Sequence, residues 1–326
     1  MRAVVVTAFG GPDVLKWEDV AEPVAGDGQV LVRVEVAEIN FVETQLRRGF
    51  SPGPPLPEVP FVPGGGVAGT VAEVGGGVDA SWVGRRVVTR TVDGRGGNAE
   101  FAVADVEFLV PVPEGLGMPE AAALLNDGQT ALALFERAAV KPGEWVLVEA
   151  AAGGLGSLLV QLAHGAGARV VGAASSSAKL DVARELGAEA VVDYSRDGWA
   201  DAVRAATGGR GPDVVFDGVG GAIGRAAFEV TAGGGRFSIH GVSSGEMTTV
   251  DPAEAAERGV TVIGIDQLFA LAGAADARDR VARVLADAAA GRLRPAIGRT
   301  FPLADAAGAH AAMEARSVPG KTLLVV

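Results

Sequence analysis

A glycine-rich turn between a buried strand and a helix, within residues 144–194, limits the fold of this chain more than any other stretch. The apolar run Glu144–Ala150 predicts a buried strand. It leads into Ala151-Ala152-Gly153-Gly154-Leu155-Gly156, then into apolar residues at helical spacing and a second apolar run, Ala168–Ala174. This order of strand, turn, helix and strand presents a helix N-terminus to the pyrophosphate of a dinucleotide. The spacing is that of Gly-x-Gly-x-x-Gly with alanine first, and its place between a strand and a helix makes it specific.

The end of the second strand predicts which dinucleotide binds. An NAD site usually has an acidic residue about 20 residues after the glycines, which holds the ribose 2′-hydroxyl. Here the strand is followed by Ser175, Ser176 and Lys179, and the first acid is Asp181. Hydroxyls and an ammonium favour the 2′-phosphate of NADP, and Tyr194, the only tyrosine, ends the third strand near the same pocket. The alternative is that the serines are ordinary loop residues and Lys179 is a solvated helix charge.

Composition narrows the class of protein. The 326 residues suffice for two domains, and the apolar runs are too short to span a membrane. The N-terminus predicts a first strand and not a signal peptide, so we expect a cytoplasmic location. The absence of cysteine excludes disulfides and thiolate zinc sites. A net charge of −12 without a basic stripe argues against nucleic acid and membrane surfaces as partners.

The rest of the chain predicts a second, β-rich domain. Up to Val112, short strands alternate with Gly/Pro turns, and Phe50–Pro63 is a proline-rich loop. From Met118, helices and strands alternate as in a parallel sheet, with two separate helices at Pro119–Leu125 and Thr130–Ala138. About 60 residues at the C-terminus are too few for a separate core. The predicted division is therefore 1–123 with 268–326, and 124–267.

Several motifs together make the chain resemble the zinc-free quinone oxidoreductase (zeta-crystallin-like) branch of the medium-chain dehydrogenase/reductase superfamily. The Ala151–Gly156 turn matches the branch's Ala-Ala-Gly-Gly-Val-Gly loop with one conservative change. The resemblance also rests on these residues: Phe9-Gly10-Gly11-Pro12, Asn40, Val62-Pro63-Gly64 before Gly69, Gly96-Gly97-Asn98-Ala99-Glu100 and Gly320-Lys321. It extends from one end of the chain to the other.

That resemblance implies an α/β fold, with a Rossmann doubly wound parallel sheet and a GroES-like β-rich catalytic domain made from both chain ends. It implies NADPH as cofactor, a homodimer, and reduction of a quinone or a conjugated carbonyl. Carried over by position, it places Ala152, Gly153, Gly154, Leu155 and Gly156 at the pyrophosphate. It also places Ser175, Ser176, Lys179 and Tyr194 at the 2′-phosphate, and Asn40, Thr130, Val219, His240, Gly241 and Val242 around the nicotinamide half.

The chain departs from the family around the substrate. Tyrosines that relatives often carry near Gln45 and Phe50 are absent, and the glutamate of the Pro-Gly-x-Glu segment is Gly66. The stretch Leu125–Thr130 is unusually polar. These departures predict a specialised substrate.

Without zinc, candidate polar groups near the acceptor are few. The position of a zinc ligand in zinc-dependent relatives is occupied by Gly64-Gly65-Gly66. Asn40 is a candidate donor to a carbonyl or the ribose, with a helix N-cap as the alternative. Asp127 is a candidate proton relay or ribose ligand, or else a solvated loop residue. His240 is a candidate for a group that titrates near neutrality; the alternative, which we favour, is a half-buried histidine that packs beside the cofactor.

Three functions remain open at this point. The leading hypothesis is an NADPH-dependent quinone or enone reductase, the second an enoyl-thioester reductase, and the third a non-catalytic NADPH-binding protein. The apolar strand Val260–Ile265 should lie at a sheet edge, where it can pair with a second subunit.

Overall fold

The computed structural model describes residues 1–51, 55–264, 267 and 274–326. The chain divides into two compact units, Met1–Asn126 with Ala274–Val326, and Asp127–Gly273. The division expected from the sequence lies three residues earlier at the first boundary and six earlier at the second.

The N-terminal part is rich in short antiparallel strands. Its strands alternate buried and exposed residues where one face is solvated, as in β3, where Val32 and Val34 are buried and Arg33 is exposed. The elements are β1 (Arg2–Val6), β2 (Leu15–Asp19), β3 (Gln29–Ile39), α1 (Phe41–Arg47), β4 (Gly66–Val74), β5 (Arg86–Arg90), β6 (Phe101–Asp105), β7 (Val110–Pro111) and α2 (Met118–Ala138).

Helix α2 corrects the sequence prediction of two separate helices. Residues 126–129 are helical, so Asn126-Asp127-Gly128 does not break the helix. A single glycine costs about 1 kcal/mol in a helix, which the tertiary contacts of the buried flanking residues can outweigh. Leu124 and Leu125 are almost fully buried on this helix. Asp127 is therefore a helical residue, not the loop residue considered above.

The middle of the chain alternates strands and helices. The elements are β8 (Trp145–Val148), α3 (Gly154–Gly165), β9 (Arg169–Ala174), α4 (Ser177–Glu185), β10 (Ala190–Asp193), α5 (Trp199–Ala206), β11 (Val214–Asp217), α6 (Gly221–Val230), β12 (Arg236–Ile239), α7 (Pro252–Glu257) and β13 (Thr261–Ile263).

The strands of this second unit form a six-stranded sheet in the order β10-β9-β8-β11-β12-β13, with every pair parallel. The order reverses between β8 and β11, and this is the order of the Rossmann fold. The apolar strands supply the buried residues Leu147, Val171, Val215 and Phe237 of one core cluster. Strand β13 lies at the edge of this sheet, as far as the described residues show.

The C-terminal segment adds to the first unit. It contains α8 (Ala274–Ala289), β14 (Ile297–Pro302), α9 (Ala306–Glu314) and β15 (Lys321–Val325). Strand β15 pairs antiparallel with β3 in a seven-stranded sheet, and Phe301 and Leu324 pack in the same core as Val32. Strand β14 was not anticipated from the sequence. Within the described residues, no helix has the length and apolar character needed to cross a membrane.

Candidate active site

The glycine-rich turn is shaped by close contacts that exclude side chains. Gly153 caps α3, and its N–H donates to the carbonyl of Ala150 over 2.8 Å. A Cβ on Gly156 would lie 2.3 Å from the same carbonyl oxygen, so only glycine lets α3 start this close to β8. The first N–H groups of a helix have no acceptor within the helix. The turn thus directs N–H groups and the positive end of the helix dipole to one point, which suits a pyrophosphate.

The residues predicted for the 2′-phosphate lie together at the ends of neighbouring strands. Ser175 follows β9 and Tyr194 follows β10, where the N–H of Tyr194 donates to Ala174 over 3.1 Å. Lys179, in the first turn of α4, places its Nζ 3.4 Å from the Ser175 hydroxyl. Ser176 is the N-cap of α4, and its side chain makes no capping bond. The Ser175 hydroxyl and the Lys179 ammonium are therefore neighbours at the N-terminus of α4, and β10, which leads into Tyr194, is the strand next to β9.

A second group of polar residues, here called the Glu149 cluster, lies at the carboxyl ends of the central strands. It consists of Glu149 after β8, Asp217 at the end of β11, His240 after β12 and Thr248. One Asp217 oxygen accepts the N–H groups of Val219 and Gly220 at 3.0 and 2.7 Å, and the other accepts the Thr248 hydroxyl. Glu149 and Asp217 are almost fully buried.

Burial decides the protonation of this cluster. Burial, together with the negative charge of Asp217, raises the pKa of Glu149 well above its ordinary value. Burial lowers the pKa of His240 to about 4, although the charge of Asp217 opposes the shift. At pH 7, His240 is therefore neutral, and burial favours the protonated form of Glu149. Of the two alternatives for His240, titration near neutrality is wrong, because desolvation outweighs the neighbouring acid.

The segment after β12 approaches the end of β11 closely. The N–H groups of His240 and Gly241 both donate to the Asp217 carbonyl over 3.1 Å. A Cβ on Gly241 would lie 2.1 Å from the Gly218 carbonyl oxygen, so this position requires glycine. Val219 is buried, and its carbonyl accepts the N–H of Ser244 over 2.8 Å. Val219 and residues 240–242 are thus held as neighbours. Thr130 is half-buried on α2.

In the other unit, Asn40 belongs to a buried group that the sequence analysis missed, here called the Glu38 cluster. Its members are Glu38, Asn40, Glu43, Asn126 and Lys321. The Lys321 ammonium lies 2.8 Å from Glu38 Oε2 and donates to Asn40 Oδ1 over 2.6 Å. The Asn126 amide donates to Glu38 Oε1. Asn40 precedes α1 as its N-cap, but its side chain makes no capping hydrogen bond.

Glu43 is protonated at neutral pH. Burial and the charge of Glu38 raise the pKa of Glu43 to about 8, against smaller opposing effects of the Gly65 N–H and of Lys321. The Gly65 N–H donates to Glu43 Oε1 over 3.3 Å. The segment Gly64-Gly65-Gly66, which was compared above with a zinc-ligand position, offers no side-chain ligand. Among the described residues, no group of three or more His, Asp or Glu residues is placed to hold a metal ion.

The buried acids that the sequence analysis did not single out share one feature of the sequence. Glu38, Glu149 and Asp217 are acids within or at the end of apolar strands, where an ionisable residue is rarely buried without a purpose. Nothing local in the sequence pairs Glu38 with Lys321.

Comparison with known proteins assigns the family. Residues 26–114 match the family profile described as alcohol dehydrogenase GroES-like domain, and residues 154–277 match that of zinc-binding dehydrogenase. A quinone oxidoreductase from Sus scrofa is 33% identical over 329 residues, which covers 100% of this chain and 98% of that protein. The chain belongs to the quinone oxidoreductase branch of the medium-chain dehydrogenase/reductase superfamily.

Two further similar proteins are a reductase and a protein whose structure contains NADPH. A 2-haloacrylate reductase from Burkholderia sp is 35% identical over 333 residues, covering 100% of this chain and 99% of the relative. The structure of mycobacterial Rv1454c complexed with NADPH has a TM-score of 0.91 and 35% identity, and each chain is fully covered. The GroES-like and Rossmann folds expected from the sequence are confirmed.

Proposed function

We propose that this protein is an NADPH-dependent oxidoreductase that transfers a hydride to a quinone or to an alkene conjugated with a carbonyl group. The observation that carries the proposal is the grouping of Lys179, Ser175 and Tyr194 at the adenosine end of a glycine-rich turn. An acidic residue at the end of β9 would repel a 2′-phosphate, and this chain has serine there. The NADPH-bound relative and the relatives named quinone oxidoreductase support the assignment.

The proposed cofactor site uses the groups described above. Ala152, Gly153, Gly154, Leu155 and Gly156 bind the pyrophosphate through backbone N–H groups, and Ser175, Ser176, Lys179 and Tyr194 bind the 2′-phosphate. Val219, His240, Gly241 and Val242 line the nicotinamide half, with Thr130 and Asp127 on α2. NADPH, when bound there, supplies the hydride.

The protein's own contribution is orientation and hydrogen bonding. Asn40 donates to the acceptor oxygen, on which negative charge develops during the transfer. His240 is neutral and so packs beside the cofactor without adding charge to it. Neither His240 nor Glu149 is exposed enough to exchange protons freely, and the proton that completes the product comes from solvent.

The relative named 2-haloacrylate reductase favours a second acceptor class within the same reaction. A haloacrylate has its double bond conjugated with a carboxyl group, as an enone has with a ketone. The acceptor panel should therefore contain quinones, enones, 2-haloacrylates and an enoyl thioester. Because the tyrosines expected near Gln45 and Phe50 are absent, we expect one class to be strongly preferred.

The assignment is tested by the oxidation of NADPH and NADH with this panel, in the wild type and in Lys179→Ala. A charge-assisted hydrogen bond contributes about 1.5–3 kcal/mol, so Lys179→Ala should lower kcat/KM for NADPH about 10- to 100-fold and leave NADH nearly unchanged. Lys141→Ala, at an exposed lysine of the same unit, is the control. Equal use of both nucleotides by the wild type would contradict the 2′-phosphate site.

A homodimer and a cytoplasmic location remain predictions. The edge position of β13 supports dimerisation by strand pairing. Light scattering at micromolar concentration tests the first, and fractionation of cells that express the tagged protein tests the second. Ile265, the last residue of the predicted edge strand, and residues 52–54 of the loop Phe50–Pro63 lie outside the described residues.

A further inference from the structure

The carboxyl group of Glu38 occupies the space left by the missing side chain at position 66. A Cβ on Gly66 would lie 2.4 Å from Glu38 Oε1 and 2.6 Å from Leu125 Cδ2. Glu38 reaches this space from the neighbouring strand β3, which pairs with β4.

The Glu38 carboxylate forms a buried ion pair with Lys321. Glu38 is 0% and Lys321 4% exposed, and their charged atoms are 2.8 Å apart. Removing two charges from water is costly, so such a pair is weak evidence for stability and invites another explanation. The second hydrogen bond of Lys321, 2.6 Å to Asn40 Oδ1, provides one.

A lysine ammonium fixes which end of an amide faces it. Lys321 has donors and no acceptor, so the atom of Asn40 that lies against Nζ must be the oxygen. The opposite orientation would bring the amide NH2 against the ammonium. Asn40 Oδ1 therefore points to Lys321, and Nδ2, with its two hydrogens, is at the other end of the amide group. The residue is only partly buried, and among the described residues no protein acceptor is within bonding distance of Nδ2.

We propose that Glu38 and Lys321 are positioning residues, which lock the Asn40 amide so that its NH2 group is presented to the acceptor oxygen. This inference rests on the proposed function, because it assigns Asn40 the role of donor to the substrate. Glu38 holds Lys321, Lys321 holds Asn40 Oδ1, and the substrate meets a donor of fixed orientation.

A double-mutant cycle tests the dependence on Asn40. The pair is removed by Glu38→Gln with Lys321→Met, which leaves no buried charge unpaired, and Glu38→Gln with Lys321→Leu serves if that variant does not fold. We expect the pair variant to lower kcat about tenfold, with KM for NADPH unchanged. In an Asn40→Ala background the same changes should have no further effect on kcat. Equal losses in both backgrounds would overturn the proposal, since a purely structural role does not act through Asn40.

A second readout does not need turnover. The chain has three asparagines, Asn40, Asn98 and Asn126, so selective labelling with 15N-asparagine gives a simple set of side-chain amide signals. The Asn40 signals are assigned by their loss in Asn40→Ala. Removal of the pair should shift them, while those of Asn98 stay in place. Unchanged Asn40 signals would overturn the proposal.

The two readouts separate the failure of this inference from that of the proposed function. If the wild type reduces none of the acceptors, the proposed function fails, and the amide signals still decide whether the pair orients Asn40. If the wild type is active and the cycle is additive, only the positioning role fails.

Discussion

The Glu38 cluster and the Glu149 cluster each bury two carboxyl groups, but they accommodate the negative charge differently. In the Glu38 cluster, Glu38 pairs with Lys321 and Glu43 keeps its proton. In the Glu149 cluster, as far as the described residues show, no lysine or arginine pairs with either acid. There, Asp217 accepts two backbone N–H groups and a hydroxyl, and burial raises the pKa of Glu149 well above its ordinary value.

The difference shows two ways in which a protein can keep an acid out of water. A buried carboxylate needs either a cation or several hydrogen-bond donors, and a second acid nearby then becomes protonated. Backbone donors fix the shape of the turn that holds Asp217. A lysine also carries a charge that can orient a further group, which here is Asn40. Only the Glu38 cluster therefore has a long-range positioning role.

The largest expected effect is the loss of the cation. Lys321→Met leaves the Glu38 carboxyl buried without a charged partner, and breaking a buried pair in this way costs about 3–5 kcal/mol. Urea unfolding at pH 7 should show this loss in the free energy of unfolding. Lys16→Met, at an exposed lysine, is the control. The addition of Glu38→Gln should recover most of the loss, and a loss of less than about 1 kcal/mol for Lys321→Met alone would mean that the pair is not desolvated.

The next largest effect is the pH dependence of stability that comes from Glu43, the protonated acid of the Glu38 cluster. Because the pKa of Glu43 is about 8 in the fold and ordinary in the unfolded chain, the folded protein holds a proton that the unfolded chain releases above pH 4.5. Wild-type stability should therefore fall as pH rises towards 8, by up to about 1.4 kcal/mol per unit from this group.

Glu43→Gln removes this slope, since glutamine does not titrate and its Oε1 can still accept the Gly65 N–H. Unfolding curves from pH 5 to pH 8 should show the variant gaining on the wild type at each step. Parallel pH profiles would contradict the protonated state of Glu43. Glu35→Gln, at a partly exposed acid of the same sheet, is a suitable control.

The smallest effect is expected at the Glu149 cluster. Because burial and the charge of Asp217 favour the protonated form of Glu149, Glu149→Gln should change the free energy of unfolding by less than about 1 kcal/mol. A loss as large as that of Lys321→Met would mean that Glu149 is ionised, and the contrast between the clusters would disappear. Urea unfolding at pH 7 measures both variants side by side.

The two clusters also differ in how far the sequence predicts them. The glycine-rich turn between β8 and α3 could be predicted from the sequence because its pattern is local. Its glycines are required by contacts within a few residues, as Gly156 is by its contact with Ala150. Glu149 and Asp217 were overlooked, although each directly follows or ends an apolar run at the carboxyl edge that the fold assigns to ligands. An acid at that position is a readable signal.

Local sequence patterns could not predict the Glu38 cluster. Lys321 and Asn40 are 281 residues apart, and their contact depends on the pairing of β15 with β3. The sequence did show that Gly66 lacks the family's acid, but not that Glu38 takes its space. The single helix α2 was missed for the same reason, since burial of Leu124 and Leu125 overrides a local stretch that looks like a break.

The most direct test of the central claim is a stoichiometric one. NADPH oxidation and acceptor reduction should be followed together under anaerobic conditions, with the preferred acceptor of the panel and with NADH in parallel. We expect that one acceptor molecule is reduced for each NADPH that is oxidised, and that the rate with NADH is much lower. NADPH that binds tightly while no acceptor is reduced, or equal rates with the two nucleotides, would contradict it.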